Sequence, residues 1–544
     1  MGPAARAGAR GRGRASRCDV VLVGYEDEEN LGLRYIASYL GSRGVRVEIA
    51  PYRAGVRVPL LAFLRGRRPR VVGFSLIFQG MLPDFAELIA FLRAGGVRAH
   101  FTIGGHFPTI AWERTLALIP GLDSVVRHEG EGTLLELVRQ VHRPSAWPGI
   151  AGLAFRRDGR VMVTPPRPLF TDLDALPPPT RRPCLLRSRG VGIASLIASR
   201  GCHYDCAFCS IRSFYRDAPG PMRRTRSPAN VVDEMEALHR DRGVRVFVFK
   251  DDDLATRGAR ARAWIEAFAD EVRRRGLGRR IAWRISCRVD DLDPAALRTL
   301  REVGLTWVYL GIESGSEQGL RTLNKRFGVA AIRHGIAVLR ALGLAFDYGF
   351  MLLDPDSSIA SVAESVGFLE RLGARGDVSV HFTKMYPYVG TALAARLAAE
   401  GRLAGTEAQP DYRFLDPRLD LFQGFLAEAF QVRNFDPAGL VSVSRMAAFD
   451  IEIVARFDPG RHGLKGYAAA ARRITAEGNA VAVAAMRKVL AALASVSAGE
   501  GVALIPYLMD VARLAGEADR RLSGELRAVM DANGFDEPHY DGGP

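Results

Sequence analysis

The chain is short of cysteine, with six in 544 residues. Six are too few for a disulfide framework, which excludes the small stapled folds of secreted proteins and points to a reducing compartment, the cytoplasm. Long apolar runs are missing too: none is long enough to span a bilayer. The opening stretch, Met1 to Arg17, is rich in Ala, Gly and Arg and has no apolar core. It is therefore neither a secretory signal nor a membrane anchor, and a disordered basic tail is expected over 1–17. Acidic residues are the minority, 60 against 75 Lys and Arg, for a net charge of +15. The excess is mostly arginine spread along the whole chain, with no basic block interleaved with aromatics. It reads as a solvated surface, and neither a nucleic-acid nor a membrane partner is expected.

The few cysteines are unevenly placed. Cys202, Cys206 and Cys209 fall in one short run, C-x3-C-x2-C. Three thiolates in one loop can grip three corners of a cubane iron–sulfur cluster, leaving the fourth iron without a protein ligand and free to bind something else. A zinc site would require a fourth Cys or His at matched spacing, and His203 has no partner pair. Three clustered cysteines cannot pair evenly as disulfides. Cys18, Cys184 and Cys287 read as structural, with Cys287 placed at a strand end that faces the site.

The length allows three or four domains. From 18 to 145, apolar strands alternate with amphipathic helices. Val20–Gly24, Val71–Ser75, Phe101–Gly105 and Asp123–Val126 read as buried parallel strands, and Leu33, Ile36 and Leu40 recur at helical spacing. This pattern predicts a doubly wound α/β domain with its ligand beyond the carboxyl ends of the strands. Residues 146–190 form a Pro-rich connector that includes Pro177-Pro178-Pro179. From 191 to 400 a second alternating series predicts six strands: Ile193–Ala198, Val244–Phe249, Ile281–Ile285, Trp307–Leu310, Phe346–Leu352 and Val378–Phe382. Six βα units make a partial parallel barrel with its site at the strand ends, and the cysteine loop follows the first strand. Ser227-Pro228 reads as a helix cap and first turn. Residues 401–544 read as helices, for example Ile474 to Ala494.

The cysteine motif resembles that of the radical S-adenosylmethionine (SAM) enzymes. Gly311-Ile312-Glu313-Ser314-Gly315 and Tyr386-Pro387-Tyr388 after later strands are similar to that family as well. The resemblance implies a [4Fe–4S] cluster on Cys202, Cys206 and Cys209, SAM on its open iron, and Phe208, Asp251, Ser286 and Glu313 around SAM. It also implies an electron donor such as flavodoxin or ferredoxin. The amino-terminal region resembles the cobalamin-binding domain fused to some radical SAM cores, best at Gly104-Gly105 and Glu129-Gly130-Glu131. On that resemblance Tyr25, Asn30, Ser75, Gly104, Gly105, Glu129 and Gly130 are the cobalamin candidates. Where related cobalamin domains carry D-x-H-x-x-G, this chain has Asp27-x-Glu29-x-x-Gly32. A carboxylate suits cobalt poorly, so no ligand from this loop is expected; His106 and His128 are the alternatives.

Together, over residues 18 to 392, the resemblances imply a cobalamin-dependent radical SAM methyltransferase. Its substrate would be an unactivated carbon or phosphorus of a small specialised metabolite or modified peptide, as in antibiotic biosynthesis. In this family the protein binds and aims while the cofactors carry the chemistry. A cyclase or rearrangement enzyme uses the same cofactors, and a cobalamin sensor would lack catalysis. An RNA methylthiotransferase would need three further amino-terminal cysteines, where this chain has Cys18 alone.

Overall fold

The computed structural model describes residues 18–26, 29–53, 55–188, 190–254 and 256–535. The expected basic tail, 1–17, lies outside the described residues. The chain divides into two compact units. One runs to Pro168 and includes Pro177–Thr180; the other holds Leu169–Leu176 and everything from Arg181 onward.

The first unit is a seven-stranded sheet of β1 (Val20–Tyr25), β2 (Val47–Tyr52), β3 (Val71–Ser75), β4 (His100–Gly104), β5 (Ser124–Val126), β6 (Leu153–Arg157) and β7 (Arg160–Val163), in the order β2-β1-β3-β4-β5-β6-β7. The first five strands are parallel. β1 and β3 are buried along nearly their whole length, as strands covered by helices on both faces must be. β2 escapes the sequence reading because it is a half-buried edge strand with a proline in it. The stretch expected as a connector, 146–190, instead contributes the antiparallel hairpin β6–β7, which extends the sheet through Ser124↔Phe155. Leu153, Ala154 and Phe155 are buried, so their apolar run belongs to this core. The proline run packs as a loop on helix Leu31–Gly41: Ser38 Oγ donates to the Pro178 carbonyl at 2.6 Å and Thr180 N to that of Arg34 at 3.3 Å.

The second unit begins with β8 (Leu186–Ser188) and β9 (Val191–Leu196). The two-residue strands β10 (Ser199–Arg200) and β11 (Arg224–Thr225) pair with each other. β12 (Val244–Phe249), β13 (Ala282–Arg288), β14 (Leu305–Glu313), β15 (Ala345–Leu353) and β16 (Thr383–Lys384) follow. The sheet order is β16-β15-β14-β13-β12-β9-β8, and all its pairings are parallel except the β8–β9 edge. This is the expected half-barrel. Ser227 caps helix Pro228–Arg242 by accepting from Asn230 N, as its sequence predicts. The lower lumen is plugged: Ile193, Val246, Val248, Ala282 and Trp307 pack against Phe449 and Ile453 of helix Leu440–Phe457.

The sixth strand departs from expectation. Val378–Phe382 alternates like a strand, but only Thr383–Lys384 pairs with β15. Side chains take the place of the ladder. Asn479 accepts from Val380 N at 2.7 Å and donates to the Val378 carbonyl at 2.9 Å, and Arg433 donates twice to the Val380 carbonyl. Arg433 is in turn ion-paired with buried Asp519. These donors come from helices Arg418–Phe435 and Leu464–Ala494, which with Leu440–Phe457 and Ile505–Ala532 form the carboxyl-terminal region. Among the described residues, no helix is long and apolar enough to cross a membrane.

Candidate functional site

In the barrel unit, the loop after β9 is held from several sides. Asp251 sits at the end of β12; its carboxylate accepts from Ala198 N at 3.1 Å and from Ser199 Oγ at 2.5 Å, and the side chain is buried. Asp252 accepts from Gly201 N at 2.9 Å. Gly201 has φ +81°, and a Cβ there would lie 1.9 Å from the Met222 carbonyl oxygen, so only glycine fits. Further along, Asn324 Nδ2 donates to the Asp205 carbonyl at 3.0 Å, while Ala207 N donates to Leu323 and accepts at its own carbonyl from Leu393 N.

The sulfurs lie close to donors. The backbone N–H groups of Tyr204 and Ile211 favour the thiolates of Cys202 and Cys209. Cys206 Sγ accepts from Arg288 Nη1 at 3.2 Å. Arg288, buried at the end of β13, is paired with Asp290 at 3.0 Å and lies 3.8 Å over the Tyr204 ring. Burial pushes the Cys202 and Cys209 thiols up to about 12. A cationic cluster would hold them as thiolates, with the N–H groups sharing the charge. Among the described residues, no three Cys, His, Asp or Glu side chains converge on one point as a single ion would require.

Around this loop the expected SAM residues fall as follows. Phe208 is half-buried against the core, with Lys325 Nζ 5.9 Å from its ring centre. Ser286 is half-buried near the end of β13. Glu313 sits at a bulge with φ +66° and pairs with buried Lys325 at 3.4 Å. Asp251 differs from expectation, since its carboxylate is already used inside the loop. At the same strand end Asp252 is exposed, and its carboxylate carries the one bond from Gly201 N. Arg288 and Lys325 are functional candidates that the sequence reading did not assign. Their one signal was position beside recognisable strand ends.

In the first unit, the candidates cluster at the ends of β1, β3, β4 and β5. Gly105 has φ +118°, and a Cβ there would be 2.0 Å from the Leu76 carbonyl oxygen, so the turn demands glycine. Gly104 and Ser75 are half-buried, and Ile77 and Phe78 just beyond β3 are exposed. Small residues beside an apolar lip fit a broad macrocycle such as cobalamin. Other candidates have local duties. Asn30 caps helix Leu31–Gly41 by accepting from Leu33 N at 3.2 Å, and Tyr25 donates to Asp84 at 2.7 Å. Gly130 makes room for Ile36, whose Cδ1 would be 3.0 Å from a Cβ there. Glu129 is buried just before helix Gly130–Gln140. Asp27 of the altered D-x-H-x-x-G pattern lies outside the described residues; Glu29 is buried. His128 is buried with φ +59°. Burial lowers the His106 ring to about 4, keeping it neutral.

Comparison with known proteins agrees with this geometry. Residues 17–138 match the family model of the B12 binding domain, and residues 196–369 that of the radical SAM superfamily. An uncharacterized methyltransferase of Pyrococcus horikoshii is 29% identical over 357 residues, 65% of this chain and 74% of that protein. An anaerobic magnesium-protoporphyrin IX monomethyl ester cyclase of Cereibacter sphaeroides is 30% identical over 259 residues, 46% of this chain but 41% of that protein. The structure of the cobalamin-dependent SAM radical enzyme OxsB with aqua-cobalamin bound superimposes with a TM-score of 0.69 at 16% identity, covering 96% of this chain and 84% of that one. The chain thus belongs to the cobalamin-binding radical SAM enzymes, with the B12-binding domain ahead of the radical SAM core.

Proposed function

We propose that the protein is a methyltransferase acting on an unactivated carbon, or a phosphorus, of a small specialised metabolite. The observation that carries the reading is the donor-supported cysteine loop at the mouth of a half-barrel, in the same chain as a B12-binding domain. When bound, the cluster and SAM supply radical chemistry and cobalamin supplies methyl-group transfer.

The chain's own residues bind, orient and shield. Cys202, Cys206 and Cys209 hold the cluster, and Arg288 orients Cys206. Asp251 and Asp252 fix the loop's entry through Ala198, Ser199 and Gly201. Asp252, in place of Asp251, is the acceptor for the SAM ammonium, with Phe208, Ser286 and Glu313 lining the same site. Gly104, Gly105 and Ser75 give cobalamin its backbone approach, with Tyr25, Asn30, Glu129 and Gly130 around it. A flavodoxin or ferredoxin is the expected electron source.

The likeness to a cyclase favours one second reading, ring formation without methyl transfer. Anaerobically reconstituted protein, incubated with methyl-labelled SAM and candidate substrates, separates the two. Product heavier by one methylene, formed with equal S-adenosylhomocysteine and 5′-deoxyadenosine, supports methylation. Turnover that forms 5′-deoxyadenosine with no S-adenosylhomocysteine would overturn it in favour of rearrangement.

A further inference from the structure

The inner face of the barrel carries polar groups that the cluster loop does not use. Pairing sets Val248, Arg284 and Trp307 side by side on β12, β13 and β14. Val248 and Trp307 pack against Phe449 and Ile453 in the lumen, so Arg284, pointing the same way, faces the lumen too. Arg284 is 5% exposed and Trp307 8%. Arg284 Nε and Nη1 and Trp307 Nε1 are all sealed from solvent without a hydrogen-bond acceptor. Among the described residues Arg284 makes no ion pair.

A guanidinium keeps its proton in any protein interior. Two neighbouring charge pairs are matched within themselves, Arg445 with Asp347 at 2.7 Å and Lys325 with Glu313, and helix Leu440–Phe457 brings a further buried carboxylate, Asp450. Arg284 and Trp307 thus hold three donor atoms without an acceptor, in surroundings where such groups are costly. At the amino-terminal end of the barrel strands, Trp307 also borders a cavity of about 260 Å³ that Asp347, Arg445 and Glu452 help to line.

We propose that this layer binds an oxyanion of the substrate, a carboxylate or phosphate, with Arg284 and Trp307 as donors. The inference rests on the barrel being a radical SAM active site, since that is what brings substrate into the lumen. Arg284 lies two residues before Ser286 on β13, about 7 Å of strand. A small metabolite can therefore anchor its anionic end in the lumen and present its reacting atom near the strand ends. A neutral lipid would leave the donors bare.

The test uses the full-length protein loaded with cluster and cobalamin. Isothermal titration with inorganic phosphate, and separately with acetate, at ionic strength held by chloride, should show saturable binding. Arg284→Gln should weaken it about tenfold or more, and Trp307→Phe, which keeps the ring bulk, by less. Thermal melts report whether each variant folds; if Arg284→Gln does not, the wild type and Trp307→Phe carry the comparison. No saturable binding above chloride in the wild type, or undiminished binding in Arg284→Gln, overturns the proposal. Ion chromatography of denatured wild-type protein separates the sources. A stoichiometric inorganic anion released there would assign the site to a resident ion and overturn the substrate reading; its absence, with binding of added oxyanion, supports it. SAM cleavage by the wild type is scored apart. Its failure sinks the radical SAM reading, whereas anion silence in a protein that cleaves SAM sinks only this proposal.

Discussion

The two sheets prepare their strand ends by different means. In the first unit the approach is made by backbone and small residues, Ser75, Gly104 and Gly105, while longer side chains nearby cap a helix or bond to a neighbour. In the barrel the cysteine loop is tied by side chains from other strand ends, Asp251, Asp252 and Arg288, and by Asn324 just after helix Glu317–Thr322. A broad macrocycle can be met by shape. A cluster needs three sulfurs at fixed places, and fixing them takes many tethers.

The largest test of this contrast is removal of a ligand. Cys202→Ala, Cys206→Ala or Cys209→Ala should take iron from about four per chain to near none and SAM cleavage to background, with cobalamin content unchanged. Iron and cobalamin assays on each variant check it, and loss of both together would break the contrast. Next come the two obligatory glycines. Gly201→Ala and Gly105→Ala each drive a Cβ to within 2.0 Å of a carbonyl oxygen and should cost roughly 3 kcal/mol locally. Gly201→Ala should lose iron and keep cobalamin, and Gly105→Ala the reverse. Arg288→Gln sharpens the barrel side: iron stays, but without the cation at Cys206 the reduced cluster is less favoured. Its midpoint potential should fall in an EPR-monitored redox titration, and SAM cleavage should slow about tenfold.

The smallest effect is expected away from both sets of strand ends. Glu452 lines the cavity at the amino-terminal end of the barrel strands, and burial raises its carboxyl from 4.5 to about 7, with Arg472 opposing. The neutral form suits the fold. The stability it contributes is fully present below 4.5 and is lost as pH rises through 7. Glu452→Gln should therefore match the wild type at pH 5 and exceed it at pH 8, by at most about 3 kcal/mol. Denaturant melts at the two pH values measure this, and both cofactor contents should stay unchanged.

What could be read beforehand follows the same division. Val71–Ser75 and Val244–Phe249 appear as strands because fully buried parallel strands are near-continuous apolar runs. The cysteine loop stands out in the sequence because its spacing is local. Arg288, Lys325 and Arg284 do not, since each matters through a partner or a lumen that only the fold assembles. Asp251 misled for a related reason. The run Asp251-Asp252-Asp253 does not say which carboxylate is buried against Ala198 and Ser199 and which is exposed. The alternation over Val378–Phe382 misled because helix side chains took over the hydrogen bonds that a neighbouring strand would have made.

That substitution has a consequence for how the protein is made. The edge of the barrel after β15 is completed by Asn479 and Arg433, and Arg433 by Asp519. On the ribosome, the catalytic core therefore stays unfinished until more than a hundred residues after its last strand have emerged. A nascent chain halted before that point would carry an open sheet edge, the kind of surface that chaperones recognise.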